Sequence, residues 1–406
     1  MIQELSKPTG AVTLGQGTPQ YMDGRAMHCT LIVTEECNLR CTYCYERGKN
    51  SNHPMTLETG KAAIDFVLFR VPPKEAIVLE FTGGECSLKV DLMRALIEYF
   101  KMRLADCPGH PYQSSYVIML CTNGVLYHTK NFQRLLWENR QHVYPSITID
   151  GTKMKHDQAR VFPDGSGSYD IVARNVKLWL RQFPLASTKM TFTSSDISQV
   201  CDSVLHVWKL GIRDVASNVV FEDVWHPGDP ETFEAQLRNL ADIAIAEGFC
   251  DCHDCSFFWV PREASGLPPD DRNWCGTGKM ISVDAEGDIF PCVRFQRFCL
   301  NNKPGRCIGN VYDGFNRDMI RSFQCLRKSL QSPAECLSCT MQDQCAWCTA
   351  VNYDYADSDT IFQRATFICE MHKARWRANQ YYWAQLRESG RVHPGGRSGG
   401  RYVCPA

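Results

Sequence analysis

The sequence predicts an α/β protein, with a partial (βα)6 TIM-like barrel followed by a cysteine-rich domain with little regular structure. Three observations support this prediction. Between about residues 28 and 250, β-branched apolar runs alternate with longer segments of helical periodicity, the pattern of repeated βα units around a parallel sheet. Polar segments that carry glycine or cysteine follow several of the predicted strands. Beyond residue 250 the alternation ends and cysteines become the most prominent feature.

Six pairs of strand and helix are predicted along the barrel. The strands are predicted over residues 28–34, 76–82, 115–121, 144–149, 189–193 and 216–221. The helices are predicted near residues 57–69, 89–103, 131–139, 169–181, 196–208 and 231–247. In sheets of this kind, the loops after the carboxyl ends of the strands carry the chemistry. We therefore expect the functional residues in the loops 35–45, 83–86, 122–124 and 150–151.

The chain divides into four predicted segments. An N-terminal extension covers residues 1–27, the barrel 28–250 and the cysteine-rich domain 251–375. A C-terminal helix with a flexible tail covers residues 376–406, since the end of the chain is rich in Gly and Arg.

Composition and charge narrow the possible functions. The 406 residues carry 44 Lys and Arg against 45 Asp and Glu, so the net charge of −1 provides no field that would recruit nucleic acid or an anionic membrane. The sequence shows neither a secretory signal nor a membrane-spanning run, which predicts a cytoplasmic protein. Because the cytosol does not maintain disulfides, the 22 cysteines favour metal or iron-sulfur ligation.

The first cysteine cluster lies directly after the first predicted strand. Cys37, Cys41 and Cys44 form a C-x3-C-x2-C triad. Three thiolates on one short loop can hold three irons of a 4Fe-4S cluster and leave the fourth iron without a protein ligand. A structural zinc site would require a fourth Cys or His nearby, and His28 and His53 are poorly spaced for that role. The triad therefore favours a cluster with one open iron.

Three further motifs follow strands two, three and four in order: TGGE at 82–85, TNG at 122–124 and TIDG at 148–151. With the triad, they make the sequence from 28 to about 250 resemble a radical S-adenosylmethionine (radical SAM) enzyme. The resemblance implies that the open iron binds the methionine moiety of SAM and that one-electron reduction yields a 5′-deoxyadenosyl radical. That radical abstracts hydrogen from the substrate. Reduced flavodoxin or ferredoxin is the implied electron donor.

The same resemblance implies which residues contact SAM. Gly83, Gly84 and Glu85 match the turn that meets the SAM amino group, where paired glycines permit a backbone approach that a side chain would block. Tyr43, before the last triad cysteine, is expected to pack near adenine. The implied contacts with ribose and carboxylate are Asn123, Thr148 and Asp150.

A second set of seven cysteines lies in the C-terminal half. Its spacing is C-x11-G-x4-C, then C-x2-C-x5-C-x2-C, then one more cysteine after twenty residues. The pattern resembles the SPASM extension, which binds two auxiliary 4Fe-4S clusters in maturases, and so implies three clusters in all. The outer auxiliary cluster has four implied ligands: Cys336, Cys339, Cys345 and Cys369. The inner one has three: Cys275, Cys292 and Cys348. The candidates for its fourth ligand are Cys250, Cys252, Cys255 and a substrate thiolate.

Alternatives remain open for these cysteines. Residues 336–348 also fit a zinc ribbon, since C-x2-C pairs are common zinc ligands. The gap before Cys348 has two residues where the SPASM pattern usually has three. A non-catalytic iron-sulfur scaffold protein would need clusters but neither the GGE turn nor an aromatic residue at Tyr43, so these features argue against it.

The resemblance favours a peptide maturase, because SPASM enzymes act mostly on peptides or proteins. An open iron beside a cavity suits a substrate thiolate, so we expect thioether cross-links in a ribosomally made, Cys-containing precursor peptide. The alternative is an anaerobic sulfatase-maturating enzyme, which forms formylglycine. In those enzymes an Asp normally follows the cysteine that matches Cys292, whereas here Val293 follows it. Carbon-carbon cross-linking and epimerisation also stay open.

Recognition of the precursor's leader is expected to differ from that of many peptide maturases. Only 36 residues precede the triad, too few for a leader-binding winged-helix region. We expect the leader to be bound by a short N-terminal strand, by the segment 376–391 or by a separate protein.

Overall fold

The computed structural model describes residues 25–47, 53–259, 275–342 and 344–391. Its strands are β1 Ala26–Thr34, β2 Ala76–Gly83, β3 Tyr116–Thr122, β4 Val143–Ile147, β5 Ser187–Phe192, β6 Asp214–Val219, β7 Asp254–Cys255, β8 Met280–Val283, β9 Asp288–Phe290, β10 Gly309–Asn310 and β11 Gly314–Phe315. Its helices are α1 Leu57–Phe69, α2 Val90–Ala105, α3 Lys130–Glu138, α4 Lys153–Ala159, α5 Tyr169–Gln182, α6 Val200–Lys209, α7 Asp229–Ala246, α8 Arg317–Gln324, α9 Lys328–Gln331, α10 Ala334–Leu337, α11 Thr349–Asp354 and α12 Cys369–Glu388. Within these ranges, no helix is long and apolar enough to cross a membrane.

The predicted partial barrel is confirmed. Strands β1 to β4 pair in parallel, and β5, β6 and β7 form a second parallel sheet. The ladder is interrupted between β4 and β5, and Pro145 in the middle of β4 supplies no backbone donor. Side chains bridge the interruption instead. The Tyr144 hydroxyl accepts from the Ser187 N–H at 2.9 Å, and the Ser146 hydroxyl donates to the Ser187 carbonyl at 3.2 Å.

The six predicted barrel strands form, with ends within two residues of the prediction. Helix α6 begins four residues later than predicted, because residues 194–199 form a 3-10 turn. Thr193 and Asp196 close that turn as a capping box, in which each side chain accepts from the other residue's backbone N–H. The short helix α4 was not predicted.

The cysteine-rich half joins the barrel sheet at its β1 edge. Strand β8 pairs in parallel with β1, so that His28 faces Met280 and Leu31 faces Val283. From β8 to β11 the sheet continues in antiparallel pairs. The sheet is therefore continuous between the two halves, and β8, which lies between the predicted inner ligands Cys275 and Cys292 in the chain, is the neighbour of the first barrel strand.

Helix α12 packs along α7, the last helix of the barrel. The Arg377 guanidinium pairs with the Glu234 carboxylate, and the Tyr381 hydroxyl donates to Asp242 at 2.8 Å. The helix begins at Cys369, seven residues before the predicted boundary, so its first residue is a predicted cluster ligand. Most of the predicted N-terminal extension and the tail from residue 392 onwards lie outside the described residues.

The hairpin between β8 and β9 turns on Asp284 and Gly287. The Asp284 carboxylate accepts from the N–H groups of Glu286 and Asp288, at 3.1 and 2.9 Å. Gly287 has a φ of +82°, and a Cβ there would lie 2.8 Å from the Val311 side chain. This conformation explains the glycine in the C-x11-G-x4-C spacing. Burial and the nearby charge of Glu286 raise the pKa of Asp284 to about 7.

Asp284→Asn is expected to stabilise the protein, and to do so more at high pH. The folded state disfavours the charged carboxylate, so native stability falls as the pH rises from the ordinary carboxyl range to about 7. The substitution removes this penalty, which is roughly 4 kcal/mol at high pH. Thermal unfolding midpoints at about pH 5 and about pH 8 measure the effect. The exposed Asp106→Asn is the control, and an equal gain at both pH values would contradict the argument.

Candidate metal and cofactor site

The loop that carries the triad follows β1 and is held by backbone hydrogen bonds. The N–H groups of Arg40 and Thr42 donate to carbonyls at and just after the end of α4, at 2.7 and 3.0 Å. Three partly exposed thiols lie on this loop: Cys37, Cys41 and Cys44.

The end of β2 lies directly against the same loop. The Gly84 N–H donates to the Thr34 carbonyl at 2.9 Å. The Glu85 N–H donates to the Glu36 carbonyl at 2.8 Å. A Cβ on Gly83 would lie 2.1 Å from the Thr34 oxygen, and a Cβ on Gly84 would lie 2.3 Å from the Glu36 oxygen. Both glycines are therefore needed for this close backbone approach.

The Glu85 carboxylate is buried and is bonded by three protein donors. One oxygen accepts from the Thr122 hydroxyl at 2.6 Å and the Ser87 N–H at 3.0 Å. The other oxygen accepts from the Asn123 N–H at 2.7 Å. Glu85 is only 2% exposed, and it ties the end of β2 to the end of β3. Its contact with the SAM amino group stays a prediction.

The motifs after β3 and β4 also lie close to the triad loop. The Asn123 amide donates to the Asn38 side chain at 2.7 Å and to the Cys37 sulfur at 3.9 Å. The Thr148 N–H donates to the Thr122 carbonyl at 3.1 Å, which joins the two motifs. The structure therefore brings the predicted strand-end motifs together around one loop.

The Tyr43 side chain is held at its hydroxyl by a network of buried charged groups. Its hydroxyl accepts from the Arg160 guanidinium at 2.7 Å and donates to the Asp150 carboxylate. Burial raises the pKa of Tyr43 well above its ordinary value, so the phenol keeps its proton. Burial alone would raise the pKa of Asp150, but the charges of Lys155 and Arg160 outweigh it and hold that pKa below its usual range. Asp150 is fully buried and anchors Tyr43, while its predicted SAM contact stays a prediction.

A cavity of about 810 Å³ opens beside the triad loop, a volume in the range of ligand pockets. Cys41, Tyr43 and Cys44 form part of its wall, and the loops after β5 and β6 form another part. Cys299 and Asn301, from the cysteine-rich half, also line it. The cavity thus lies between the two halves of the chain. The other predicted SAM contacts are not among its lining residues: Gly83, Gly84, Glu85, Asn123, Thr148 and Asp150.

Sequence reasoning missed an ion pair in which one partner lines this cavity. Glu222, three residues after the end of β6, lines the cavity, and its carboxylate is paired with the Arg294 guanidinium. Arg294 also lies 4.8 Å from the centre of the Tyr45 ring. The position of Glu222 after a strand end is a signal that could have found it. The sequence around Arg294 carries no comparable signal, because Arg294 reaches Glu222 only when the cysteine-rich half packs against the barrel.

The three predicted inner ligands influence one another. Burial, followed by the charges of Cys348 and Cys275, raises the pKa of the Cys292 thiol to about 12. The Cys275 sulfur lies 2.9 Å from the Thr277 hydroxyl and 3.1 Å from the Thr349 hydroxyl. Thiolates that disfavour one another are stabilised when a metal centre binds them. This donor set therefore fits the predicted inner cluster.

The candidates for the fourth inner ligand occupy different places. The Cys255 sulfur, in β7, donates to the Ser217 hydroxyl at 3.6 Å. Cys250 and Cys252 lie in the turn just before that strand. Cys252 is disulfide-bonded, so this candidate is wrong for the structure as it stands. A cysteine that sequence reasoning did not consider, Cys299, is buried and interacts electrostatically with both Cys292 and Cys44. The identity of the fourth ligand stays a prediction.

The four predicted outer ligands line one small cavity with Arg364 and His372. Arg364 is 8% exposed and donates to the Cys345 sulfur at 2.8 Å. The Nε2 atom of His372 is buried without a hydrogen-bond partner, and so is the Nε atom of Arg375. A buried cation requires a compensating anion, which thiolates around an iron-sulfur cluster provide. These residues therefore fit an anionic cluster. The four ligands are Cys336, Cys339, Cys345 and Cys369.

The zinc alternative for residues 336–348 stays open beside the iron-sulfur prediction, and the two differ in how their ligands are arranged. A zinc ribbon needs four ligands around one ion, whereas the ligands of a 4Fe-4S cluster attach to four different irons.

Residues 31–192 match the family model of the Radical SAM superfamily. The chain is 22% identical over 378 residues to the cysteine-type anaerobic sulfatase-maturating enzyme of Clostridium novyi, covering 86% of this chain and 93% of that protein. It is 22% identical over 285 residues to the antilisterial bacteriocin subtilosin biosynthesis protein AlbA of Bacillus subtilis, covering 68% of this chain and 57% of AlbA.

The fold is also that of a solved structure. Native anSMEcpe with bound AdoMet and the Cp18Cys peptide matches with a TM-score of 0.69 at 19% identity, covering 91% of this chain and 100% of that chain. At this identity the likeness shows the shared fold, a partial barrel followed by a C-terminal region.

Glu85→Gln is expected to destabilise the protein. An amide nitrogen would replace an oxygen that accepts only from protein donors, and such a mismatch in a buried site costs about 1–3 kcal/mol. The thermal midpoint should fall while iron content stays unchanged. If Glu85 also contacts the SAM amino group, SAM affinity falls as well. The exposed Glu98→Gln serves as control, and an unchanged midpoint in Glu85→Gln would show that the three bonds contribute little.

Proposed function

We propose that this chain, which residues 31–192 identify as a radical SAM enzyme, is a cytoplasmic peptide maturase that installs thioether cross-links in a Cys-containing precursor peptide. The observation that carries the proposal is the cavity beside Cys41 and Cys44. Its walls come from the barrel and from the cysteine-rich half, so a peptide segment held there contacts both the triad loop and the cysteine-rich half. A cavity of this volume accommodates a few side chains.

When bound, the predicted cofactors supply the radical chemistry: a SAM-binding 4Fe-4S cluster and SAM generate the 5′-deoxyadenosyl radical, and two auxiliary 4Fe-4S clusters accept an electron. The chain's own residues hold and orient these groups. Cys37, Cys41 and Cys44 provide the first ligand set, on a loop that Tyr43 anchors through Arg160. Gly83, Gly84 and Glu85 fix the adjoining turn. The auxiliary ligands are Cys275, Cys292 and Cys348 for the inner cluster and Cys336, Cys339, Cys345 and Cys369 for the outer one.

Thioether formation releases one proton and one electron, because a thiol S–H and a carbon radical become one C–S bond. Glu222 is suited to accept the proton. It lines the cavity, and one carboxylate oxygen is held by Arg294. A carboxylate fixed in this way is positioned without further reorganisation. Arg294 follows Cys292 by two residues, so the proton acceptor lies close to the predicted inner ligands.

Formation of formylglycine is the second candidate. The match to a cysteine-type sulfatase-maturating enzyme and the full coverage of anSMEcpe favour it. However, Val293 places no carboxylate directly after Cys292, where such enzymes normally have an Asp. The relationship to AlbA, named for the biosynthesis of a bacteriocin, favours a ribosomal peptide as substrate. We therefore propose the thioether chemistry first.

Two protein partners are proposed. Reduced flavodoxin or ferredoxin supplies the electron that activates SAM. For leader recognition, a separate leader-binding protein is preferred over the segment 376–391, because that segment belongs largely to α12, which is packed against α7.

The proposal is tested with Cys-containing peptides encoded beside the gene. The anaerobically reconstituted protein is incubated with such a peptide, SAM and reduced flavodoxin, and the product is analysed by mass spectrometry. Thioether formation removes two hydrogens per cross-link and one alkylatable thiol. The matched control is the same peptide with serine at each cysteine, which should remain unmodified. An aldehyde that reacts with hydrazine reagents would instead establish formylglycine formation and overturn the thioether proposal.

Replacing Cys37, Cys41 and Cys44 together with Ala should remove one of three clusters. Iron content should fall by about one third, because the auxiliary ligands lie in another part of the chain. Cleavage of SAM to 5′-deoxyadenosine should stop. Cys201→Ala, a buried cysteine of α6, is the control and should retain both iron and cleavage. Cleavage that persists in the triple variant would show that the triad does not bind SAM.

A further inference from the structure

Two arginines beside the predicted outer ligands have no acidic partner. Neither Arg364 nor Arg375 forms an ion pair with a carboxylate in the part of the chain that the structure describes. Arg364 is buried, and the buried Nε of Arg375 has no hydrogen-bond partner. A cation removed from water is costly unless an anion lies beside it. Both charges act on the Cys345 thiol, and the charge of Arg375 also acts on the Cys255 thiol. Arg364 donates directly to the Cys345 sulfur, so the expected anion beside Arg364 is the outer ligand set.

Arg364 is held in a single orientation by three contacts. One terminal nitrogen donates to the Cys345 sulfur at 2.8 Å, and the other donates to the Ser332 hydroxyl at 3.0 Å. The guanidinium lies 4.4 Å from the centre of the Trp347 ring, a cation–π contact. The hydrogen bond to sulfur is therefore built into the fold.

The inner ligand set has a different electrostatic environment. Its nearby cation, Arg294, is already paired with the Glu222 carboxylate, so most of the positive charge there is compensated. Near the outer set, Lys373 is likewise compensated by Glu370 at 2.8 Å. The uncompensated positive charge is therefore concentrated at the outer site.

We propose that Arg364, together with Arg375, raises the reduction potential of the outer auxiliary cluster above that of the inner one. Reduction adds one negative charge to a cluster, and hydrogen bonds to its sulfurs and nearby positive charge stabilise that state. Arg364 acts through the ligand Cys345 and is thus a positioning residue. The inference rests on the outer cluster of the proposed function.

This difference in potential directs an electron away from the substrate cavity. An outer cluster of higher potential, held by Cys336, Cys339, Cys345 and Cys369, would accept the electron that an inner cluster, held by Cys275, Cys292 and Cys348, receives when the substrate is oxidised. No bond forms or breaks and no proton moves in this transfer. Oxidised flavodoxin or ferredoxin then removes the electron from the outer site. The chain thereby separates the electron from the reactive cavity.

The experiment uses the full chain with Cys37, Cys41 and Cys44 replaced by Ala, so that only auxiliary clusters are reconstituted. Iron is counted first, and the clusters are then titrated with reductant at controlled potentials and followed by electron paramagnetic resonance. Two reduction steps are expected. In Arg364→Gln the step at higher potential should move to more negative potential while the other stays in place and iron content is unchanged.

A matched control variant and a second test variant show whether the shift in reduction potential is specific to the arginines beside the outer ligands. Arg377→Gln removes an arginine from the α12 face that contacts Glu234, and it should move neither step. Arg375→Gln should move the same step as Arg364→Gln, in the same direction. If Arg364→Gln fails to retain iron, the potential is read in Arg375→Gln, and a step that stays in place there overturns the inference.

The possible failures are distinguishable. If both variants retain iron and neither step moves, the inference is wrong while the proposed function stands. If both steps move equally, the arginines do not act on the outer site alone and the inference is also wrong. If Cys345→Ala in the same background removes no iron, the outer cluster is absent, and the cluster assignment of the proposed function fails together with the inference.

Discussion

The close approach of the β2 end to the loop after β1 is the contact on which the site depends. Two backbone hydrogen bonds, from Gly84 to Thr34 and from Glu85 to Glu36, join these segments, and a side chain on either glycine of the turn would displace them. Backbone bonds to residues at the end of α4 hold the opposite side of the loop. The loop is therefore fixed from two sides, and two of its cysteines, Cys41 and Cys44, line the cavity.

A network of buried charged side chains stabilises the loops around the triad. Lys155 is fully buried between Asp150 and Asp196, with its nitrogen 3.7 and 3.4 Å from their carboxylates. Removing any one of these groups would leave an uncompensated charge in the interior, which is strongly destabilising. The network connects the loops after β4 and β5 to Tyr43, and through it to the triad loop. Tyr43 thus connects the buried charge network, which holds its hydroxyl, to the cavity, which its side chain lines.

The position of the second half follows from sheet pairing. Because β8 adds to the free edge of β1, one of the two strands between Cys275 and Cys292 lies next to the strand that leads into the triad, and β9 pairs with β8 on the outer side. Helix α12 then returns to the barrel and packs on α7, with Cys369 as its first residue. Regular secondary structure, and not the cysteines alone, therefore arranges the two predicted auxiliary ligand sets relative to the cavity.

Features that depend on near neighbours in the chain follow directly from the sequence. Hydrophobic periodicity was sufficient for the six barrel strands, and the spacing of Cys37, Cys41 and Cys44 on one loop was sufficient to predict a shared cluster. Only the tertiary structure showed that Glu222 pairs with Arg294 and that Arg364 bonds Cys345, because these partners come from different elements and carry no periodic signal. It also showed that Asp150 and Glu85 are bonded to protein groups. Short spacings restrict local geometry directly, whereas contacts between distant residues exist only after the strands have paired and the two halves have joined.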